Sequence, residues 1–314
     1  MSAEMSRGTS PGIGPGIGSG IGSGMGPGIS PGISTALRDF DGYTLLAIFA
    51  HPDDESLASG GLLAWCADRG ARVSLLCLSR GERGRREARE SLHALDTPQA
   101  LKATAEGLAA TRERELAEAA RVLGLDSITL LGHADGMLPW LAPGVLETDV
   151  RATIERLRPQ VVVTFGEDGL YWHPDHIAAH DATRAAIAAL GIAAPALYYV
   201  TTPPGQMRAV VDAATARVPD PSTRRDILGI DAVDAFGASA QPPTLIIDTG
   251  RFARRKLAAL RCHRTQVAGG PFEHIAEADA EALLGVEHYR RAEVGSRGEA
   301  FIERLAARSV VAGQ

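Results

Sequence analysis

The stretch Ala50-His51-Pro52-Asp53-Asp54-Glu55 follows directly on an apolar run from Tyr43 to Phe49 and precedes sequence typical of a helix. The apolar run predicts a buried strand. Residues 54–69 predict a helix, and Gly70 is a residue common just beyond a helix C-terminus. Strand, polar loop and helix in this order form the repeating unit of an α/β fold. The loop therefore lies at the carboxyl end of a strand, where open α/β sheets bind their ligands.

A second loop of the same kind occurs far downstream. The apolar run Val161 to Phe165 is followed by a short connection and then by His173-Pro174-Asp175-His176, which opens another helix with proline in its first turn. His-Pro-Asp thus recurs between a predicted strand and a predicted helix. Two strand ends that carry imidazole and carboxylate groups can converge on one metal ion.

The rest of the chain continues the alternation of strand and helix. Strands are predicted at 43–50, 71–78, 127–131, 161–165, 196–201 and 244–248, and helices at 54–69, 101–123, 145–157, 174–190 and 251–262. Apolar strands without clean alternation predict an α/β fold with a mostly parallel, twisted sheet and helices on both faces, in a Rossmann-like arrangement. Residues 203–243 are irregular and punctuated by proline, which predicts either a lid or an insertion that faces a partner.

The N-terminus has a different composition. Residues 8–34 repeat Pro-Gly-Ile-Gly and Ser-Gly-Ile-Gly units. Glycine at this density makes ordering costly in entropy, and isolated isoleucines cannot bury enough apolar surface to offset that cost. We therefore expect residues 1–40 to be a disordered, Gly-rich, low-complexity extension and residues 41–314 to form a single domain.

Charge and composition exclude several classes of protein. The net charge is -6, and no block of lysine and arginine marks a nucleic-acid or membrane surface. No run approaches the roughly 18 to 20 apolar residues that span a bilayer. Three cysteines, Cys66, Cys77 and Cys262, are too few and too scattered for a disulfide framework. The sequence predicts a cytoplasmic protein with no nucleic-acid partner and no membrane insertion, and it leaves a homo-oligomer open.

The two loops carry the residue types of a metal site. His51 and Asp54 are three residues apart across a helix start, so their side chains can face one point, whereas Asp53 projects elsewhere, toward a bound water. The second loop offers His173 and His176. Two histidines and one carboxylate leave coordination positions open, as a catalytic zinc site requires, although iron(II) or another divalent metal suits the same ligands. The alternative interpretation is that both aspartates only cap the helix and complement its dipole.

These motifs resemble the LmbE-like (PIG-L) family of metal-dependent N-acetylglucosaminyl deacetylases. AHPDDE at 50–55 and YWHPDH at 171–176 carry the resemblance. Weaker matches are RERE at 112–115, LGHADG at 131–136 and LRCHRTQ at 260–266, and together the motifs cover about residues 43 to 290 in the family's order. By resemblance, His51, Asp54 and His176 are the metal ligands, and Asp53 is the general base that acts on metal-activated water.

The resemblance also implies residues that contact the substrate. Tyr171 would polarise the amide carbonyl, and His173 would stabilise the oxyanion or help to protonate the leaving amine. Asp135 would contact sugar hydroxyls, and Asp175 would hold His173 or a metal ligand in one orientation. Arg80, Glu82 and Arg83 follow the second strand, where the substrate cleft is expected, although a solvated charge run is an equal alternative.

Simpler interpretations stay open for several of these residues. Tyr171 can be a packing aromatic, and Asp135 a turn residue before Gly136. We expect His180 to pack against its helix rather than to bind metal. His263 and Gln266 either line the cleft or cap a helix C-terminus.

The predicted function is zinc-dependent hydrolysis of the N-acetyl or N-acyl amide of an amino-sugar conjugate, which releases acetate and a free amine. The predicted partner is thus a small-molecule amino-sugar substrate. Within the family the alternatives are a mycothiol-conjugate-type amidase and a non-catalytic sugar-binding member. Outside it, two histidines and a carboxylate also hold iron(II) in oxygenases.

Overall fold

Seven strands form one sheet in the computed structural model, which describes residues 39–84, 98–218 and 224–306. The strands are β1 (Thr44–Phe49), β2 (Arg72–Ser79), β3 (Ser127–His133), β4 (Val161–Phe165), β5 (Ala196–Thr201), β6 (Leu245–Asp248) and β7 (Val286–Gly295). Their order across the sheet is β3-β2-β1-β4-β5-β7-β6. Only β7 runs antiparallel to its neighbours, β5 and β6, within this sheet. The predicted mostly parallel sheet is confirmed.

The strand order reverses between β1 and β4. From β1 the chain moves outward through β2 to β3, then returns to β4 on the other side of β1 and moves outward to β5. Because crossovers between parallel strands are right-handed, the connecting helices of these two halves cover opposite faces of the sheet. A ligand crevice is expected outside the carboxyl ends of β1 and β4. Both histidine loops lie there, since they follow these two strands.

The helices are α1 (Asp54–Asp68), α2 (Pro98–Leu123), α3 (Val145–Leu157), α4 (Pro174–Ala189), α5 (Gln206–Arg217), α6 (Ala253–Cys262), α7 (Arg264–Val267), α8 (Pro271–His274) and α9 (Ala280–Leu284). A short helical turn covers Gly169–Trp172, and short 3₁₀ helices cover Leu138–Trp140, Gly191–Ala193, Val233–Ala235, Gly250–Phe252, Glu277–Asp279 and Phe301–Leu305. α1, α2 and α6 pack on one another, and α3 packs on α4. Two groups of helices around a sheet are the predicted α/β architecture. Within the described ranges, no helix is long and apolar enough to cross a membrane.

The central strands are apolar along their whole length because both faces are covered. All residues of β1 and of β4 are buried. This burial explains why these strands read as continuous apolar runs rather than as alternating patterns.

The two longest elements that were not predicted are β7 and α5, and the short helices α7, α8 and α9 were not predicted either. β7 has the sequence VEHYRRAEVG, whose charged residues hide the alternation of buried Glu287, Tyr289 and Ala292 with more exposed neighbours. The buried charge of Glu287 is paired, since its Oε1 lies 2.7 Å from Lys256 Nζ. α5 lies inside the region 203–243, so the prediction that this whole region is irregular was wrong.

The predicted N-terminal extension lies outside the described residues apart from Asp39 and Phe40. Phe40 is buried, its ring centroid is 5.0 Å from that of Phe301, and its N–H donates to Arg69 O at 3.0 Å. Phe40 therefore belongs with the folded core. The extent of the extension before it stays a prediction.

Candidate active site

A pocket of about 400 Å³ opens at the carboxyl ends of β1 and β4. Its floor comes from the two predicted loops: His51, Asp53 and Asp54 after β1, and Tyr171 and His173 after β4. The structure thus brings the residues of both motifs together although more than a hundred positions separate them.

Donor atoms of three side chains converge beside this pocket, which His51 and Asp54 line and the buried His176 does not. His51 Nδ1 lies 3.4 Å from Asp54 Oδ2 and 3.2 Å from His176 Nε2, and His176 Nε2 lies 3.2 Å from Asp54 Oδ1. Ligand atoms of a tetrahedral zinc ion are about 3.3 to 3.5 Å apart. The distances between the donor atoms of these three side chains therefore fit one small divalent cation.

The hydrogen bonds of the two imidazoles explain why a cation fits. His176 Nδ1 donates to Gly169 O at 3.1 Å, which leaves a lone pair on Nε2 in the neutral ring. His51 Nε2 faces Asp135 Oδ1 at 3.1 Å and Asp175 Oδ2 at 3.2 Å, so its proton belongs on that side and Nδ1 keeps a lone pair. In these neutral tautomers, two lone pairs and the carboxylate of Asp54 point at one place, an arrangement that can hold a metal ion.

The charges around this point favour a positive ion. Burial lowers the pKa of His51, but its hydrogen bonds to Asp135, Asp175 and Asp54 raise it well above its ordinary value. Burial raises the pKa of Asp54, but His176 and His51 hold it well below its ordinary value. The cluster thus attracts positive charge, which a divalent cation supplies when bound.

Two further groupings of side chains have metal-ligand spacing, His51 with His173 and His176, and His51 with Asp135 and Asp175. The carboxylate of Asp175 is already engaged, since it accepts the backbone N–H groups of Gly136 at 2.7 Å and Leu138 at 3.1 Å. The carboxylate of Asp135 accepts the N–H of Arg83 at 2.7 Å. Asp54 Oδ2 likewise accepts the backbone N–H of His51 at 2.7 Å, so backbone hydrogen bonds alone do not separate ligands from orienting residues. What separates them is that Asp135 and Asp175 face Nε2 of His51, whereas His176 faces Nδ1. Both aspartates are therefore placed to orient His51, which is one of the two roles that the resemblance implied for Asp175.

Replacing Asp175 with asparagine is expected to weaken metal binding without removing a metal ligand. The asparagine amide is neutral, so it no longer places a negative charge next to the N–H of His51 Nε2. Loss of such an orienting partner typically costs about 10- to 100-fold in metal affinity. Competition with a chelating dye measures the effect. Asp181→Asn, an exposed change on the same helix, is the control and should leave the affinity unchanged; an equal loss in both variants would count against the orienting role.

Asp53 lies beside the donor set with an unusual backbone. Its φ is 109° and its ψ is -28°, a region that costs a non-glycine residue about 1–3 kcal/mol. Asp53 occupies the N-cap position of α1, but its side chain makes no capping hydrogen bond, so its carboxylate does not act as the cap. The carboxylate lines the pocket instead. Burial raises the pKa of Asp53 to about 7, against the opposing charge of Arg112.

Arg112 is a pocket residue whose role sequence reasoning missed. Its Nη2 donates to Asp53 Oδ2 at 3.0 Å and to Pro52 O, and its Nη1 donates to Gly81 O at 2.7 Å. A Cβ on Gly81 or Gly84 would collide with the guanidinium. The sequence feature that could have indicated this role is the Gly-x-x-Gly spacing after β2. Two glycines leave room for a large buried side chain.

His173 and Tyr171 both reach the pocket, as predicted. Burial lowers the pKa of His173 to about 4, helped by the neighbouring His176 and His51. His173 Nδ1 accepts the N–H of Asp175 at 3.2 Å, so the proton of the neutral ring is on Nε2. Burial raises the pKa of Tyr171 well above its ordinary value, so its hydroxyl keeps its proton. Both side chains are thus hydrogen-bond donors at neutral pH.

The two predicted substrate contacts lie in different places. Asp135 lines the pocket. Arg80 does not: its Nη2 pairs with Glu113 Oε2 at 3.0 Å, and both side chains are exposed. Arg83 lines the pocket where Arg80 was expected, because the turn after β2 directs the later arginine toward the crevice. The exposed position of Arg80 agrees with the alternative interpretation, in which this residue is a solvated charge and not a substrate contact.

Residues from the region 203–243 form one wall of the pocket. A tight hairpin pairs Ile227 with Ile230 through Leu228 and Gly229, which both have positive φ. The hairpin, Asp231 and Phe236 line the pocket. This region therefore contributes apolar surface to the crevice itself.

The structure shows where three polar residues lie whose roles the sequence left open. His180 packs as expected, with Nδ1 3.0 Å from Phe165 O and its ring 4.5 Å from Tyr199. Gln266 lines the pocket, whereas His263 is buried beneath it and bonds to Glu55. Burial lowers the pKa of His263, but the Glu55 carboxylate raises it overall.

Comparison with known proteins gives consistent matches. Residues 46–187 match the family profile described as PIG-L, GlcNAc-PI de-N-acetylase. The 1D-myo-inositol 2-acetamido-2-deoxy-alpha-D-glucopyranoside deacetylase of Acidothermus cellulolyticus is 33% identical over 269 residues, which cover 78% of this chain and 87% of the relative. The enzyme of the same name from Mycolicibacterium vanbaalenii is 34% identical over 245 residues, covering 72% and 82%.

A solved structure shows that the fold is shared more widely than the reaction. GalB, the 4-carboxy-2-hydroxymuconate hydratase of Pseudomonas putida KT2440, has a TM-score of 0.54 at 18% identity, covering 82% of this chain and 99% of that chain. The likeness concerns the fold alone. The reaction must therefore be argued from the site.

Proposed function

The chain belongs to the PIG-L family, and from this premise we propose that it is a metal-dependent deacetylase that hydrolyses the N-acetyl or N-acyl amide of an amino-sugar conjugate. The products are acetate, or the corresponding acid, and a free amine. The observation that carries the proposal is the convergence of His51 Nδ1, Asp54 and His176 Nε2 within 3.2 to 3.4 Å of one another, with the carboxylate of Asp53 in the same pocket.

The three donor atoms would hold the metal. When bound, a divalent metal polarises an amide carbonyl and lowers the pKa of a water molecule from about 15.7 toward 7. Zinc suits two imidazoles and one carboxylate, and iron(II) is the second candidate for the same ligands.

Asp53 is the proposed general base. As the water oxygen bonds to the carbonyl carbon, the Asp53 carboxylate takes a proton from that water. General acid–base catalysis of this kind contributes about 10²- to 10⁴-fold to a rate. The guanidinium of Arg112, 3.0 Å from Asp53 Oδ2, holds the carboxylate through a charge-assisted hydrogen bond.

His173 and Tyr171 are the proposed donors to the oxygen of the tetrahedral intermediate. His173 offers Nε2–H, since its Nδ1 accepts a backbone N–H, and Tyr171 offers its hydroxyl. A donor placed in this way is commonly worth about 3 to 4 kcal/mol. The C–N bond then breaks, its electron pair stays on nitrogen, and nitrogen takes the proton that Asp53 holds.

We propose an N-acetylglucosaminyl inositol as the substrate class. Its support is the similarity to deacetylases named for 1D-myo-inositol 2-acetamido-2-deoxy-alpha-D-glucopyranoside, which the chain matches over 82% to 87% of their length. The pocket offers polar groups such as Asp135 and Arg83 to sugar hydroxyls and an apolar wall from the Ile227–Ile230 hairpin to the ring faces. The mycothiol-conjugate-type amidase stays the alternative, because its amide would be cleaved by the same groups.

A substrate panel tests the proposal. Zinc-loaded protein is incubated without dioxygen with N-acetylglucosaminyl inositol, with a mycothiol S-conjugate and with diacetylchitobiose, and free amine and carboxylic acid are both measured. We expect equal amounts of amine and acetate from the inositol conjugate. Preference for the S-conjugate would favour the amidase, and a need for dioxygen would indicate an oxygenase. Binding without turnover in metal-replete protein would indicate a sugar-binding member.

We also propose a cytoplasmic location. Cys66, Cys77 and Cys262 are all free thiols, which is usual in a reducing compartment. Burial raises the pKa of Cys66 and of Cys77, so both thiols are protonated and unreactive. A homo-oligomer stays a prediction.

A further inference from the structure

The backbone of Asp53 needs a restraint that its own side chain does not supply. With φ at 109° the residue lies in the left-handed half of conformational space, where side-chain-bearing residues are uncommon. Its carboxylate points to the pocket and to Arg112 rather than back to the helix. Other groups must therefore hold the peptide in this conformation.

Two side chains hold the peptide between Pro52 and Asp53: Arg112 donates to its carbonyl, and Glu55 accepts its N–H. Glu55 Oε2 accepts the backbone N–H of Asp53 at 3.0 Å, and Oε1 accepts the hydroxyl proton of Ser56 at 2.6 Å. The side chain of Glu55 is fully buried, and it is not among the residues that line the pocket. Glu55 thus reaches back from α1 beneath the loop and fixes the peptide that precedes the helix.

His263 holds Glu55 from the opposite side. Its Nε2 lies 2.8 Å from Glu55 Oε1, although 208 positions separate the two residues. His263 follows the last residue of α6, is fully buried and does not line the pocket. Its Nδ1 has no hydrogen-bond partner in the described part of the chain, so the bond to Glu55 is what fixes the ring.

We propose that Glu55 and His263 form a positioning pair that fixes the backbone of Asp53 and thereby aims its carboxylate at the attacking water. The inference rests on the proposed role of Asp53 as general base. Neither member can touch substrate, since neither lines the pocket, so both act through Asp53. A displacement of about 1 Å at a reacting group can cost about 10²-fold in rate, so a restraint on the position of Asp53 can have a large effect on kcat.

Two substitutions at one position separate positioning from charge. Glu55→Gln keeps an oxygen for the Asp53 N–H, and its NH₂ can donate to Ser56 and to the other tautomer of His263. Glu55→Leu has a similar volume and accepts no hydrogen bond. We expect Glu55→Gln to retain kcat within about 5-fold and Glu55→Leu to lose about 10²-fold in kcat, with KM and metal content close to those of the parent.

The control is Glu303→Leu. Glu303, like Glu55, bonds to three partners, which are Tyr198, Arg291 and the backbone N–H of Ala300, but it lies away from the pocket. Glu303→Leu should lower the melting temperature and leave kcat unchanged. It therefore shows whether lost stability alone changes kcat. If Glu55→Leu fails to fold, Glu55→Asp replaces it, because the shorter side chain withdraws the carboxylate from the Asp53 N–H.

A crystal structure of the variants supplies a readout besides activity. Asp53 should keep a positive φ near 109° in Glu55→Gln and leave that region in Glu55→Leu. An unchanged φ in Glu55→Leu, or an unchanged kcat, would overturn the inference. If the parent protein hydrolyses no amide of the panel, the proposed function fails, while the φ of Asp53 still decides on the restraint.

Discussion

Replacing His176 with alanine is expected to abolish metal binding and amide hydrolysis together. His176 Nε2 is one of three converging donor atoms, 3.2 Å from both His51 Nδ1 and Asp54 Oδ1. Two remaining ligands cannot hold a catalytic ion firmly. Because a bound metal contributes several kcal/mol of transition-state stabilisation, the rate should fall by at least about 10³-fold. Elemental analysis of the purified variant and its initial rate of acetate release measure both effects.

The same helix supplies a matched control. His180 lies one turn further along α4, is also buried, and bonds to Phe165 O through Nδ1 at 3.0 Å. His180→Ala should cost stability through lost packing while the metal content stays that of the parent. A fully occupied metal site in His176→Ala would remove His176 from the ligand set, and metal loss in His180→Ala would show that packing alone explains the first result.

Replacing Asp53 with asparagine is expected to leave the metal in place and to reduce turnover by at least about 10²- to 10⁴-fold. Asparagine is the same size and tolerates positive φ better than most residues, so the backbone at φ 109° should persist. Its amide oxygen can still accept from Arg112. What it cannot do is take a proton from water. Metal content and kcat, measured on one preparation, show whether the two properties separate.

The other outcomes of this change are equally informative. If Asp53 only supported the loop, the variant would be nearly silent in both measurements. If Asp53 were a metal ligand, metal would be lost along with the rate. Only retained metal with a large loss of rate agrees with a general base.

The convergence of the two loops could be predicted from the sequence because both loops follow strand ends. His51, Asp54 and His176 are next to apolar runs that mark β1 and β4, and adjacent parallel strands end at one edge. Local pattern was therefore enough to predict that the loops converge. The parallel sheet and most helices followed from the same alternation of apolar runs and helical periodicity.

Features that depend on distant contacts could not be predicted. Arg112 reads as one of several charges on a helix, and only the fold shows that Gly81 and Gly84 leave space for it beneath the pocket. Arg80 and Arg83 differ only in which way the turn after β2 directs them. The bond between Glu55 and His263 joins residues 208 positions apart, so no local pattern could indicate it.

The most direct test of the central claim is anomalous diffraction at the zinc edge from crystals of the zinc-loaded protein. If these three side chains bind the metal, we expect one strong peak per chain, about 2.0 to 2.2 Å from His51 Nδ1, an Asp54 oxygen and His176 Nε2. The carboxylate of Asp53 should lie outside this coordination shell. A peak between His51 Nε2, Asp135 and Asp175, or a peak bonded to Asp53, would contradict this expectation.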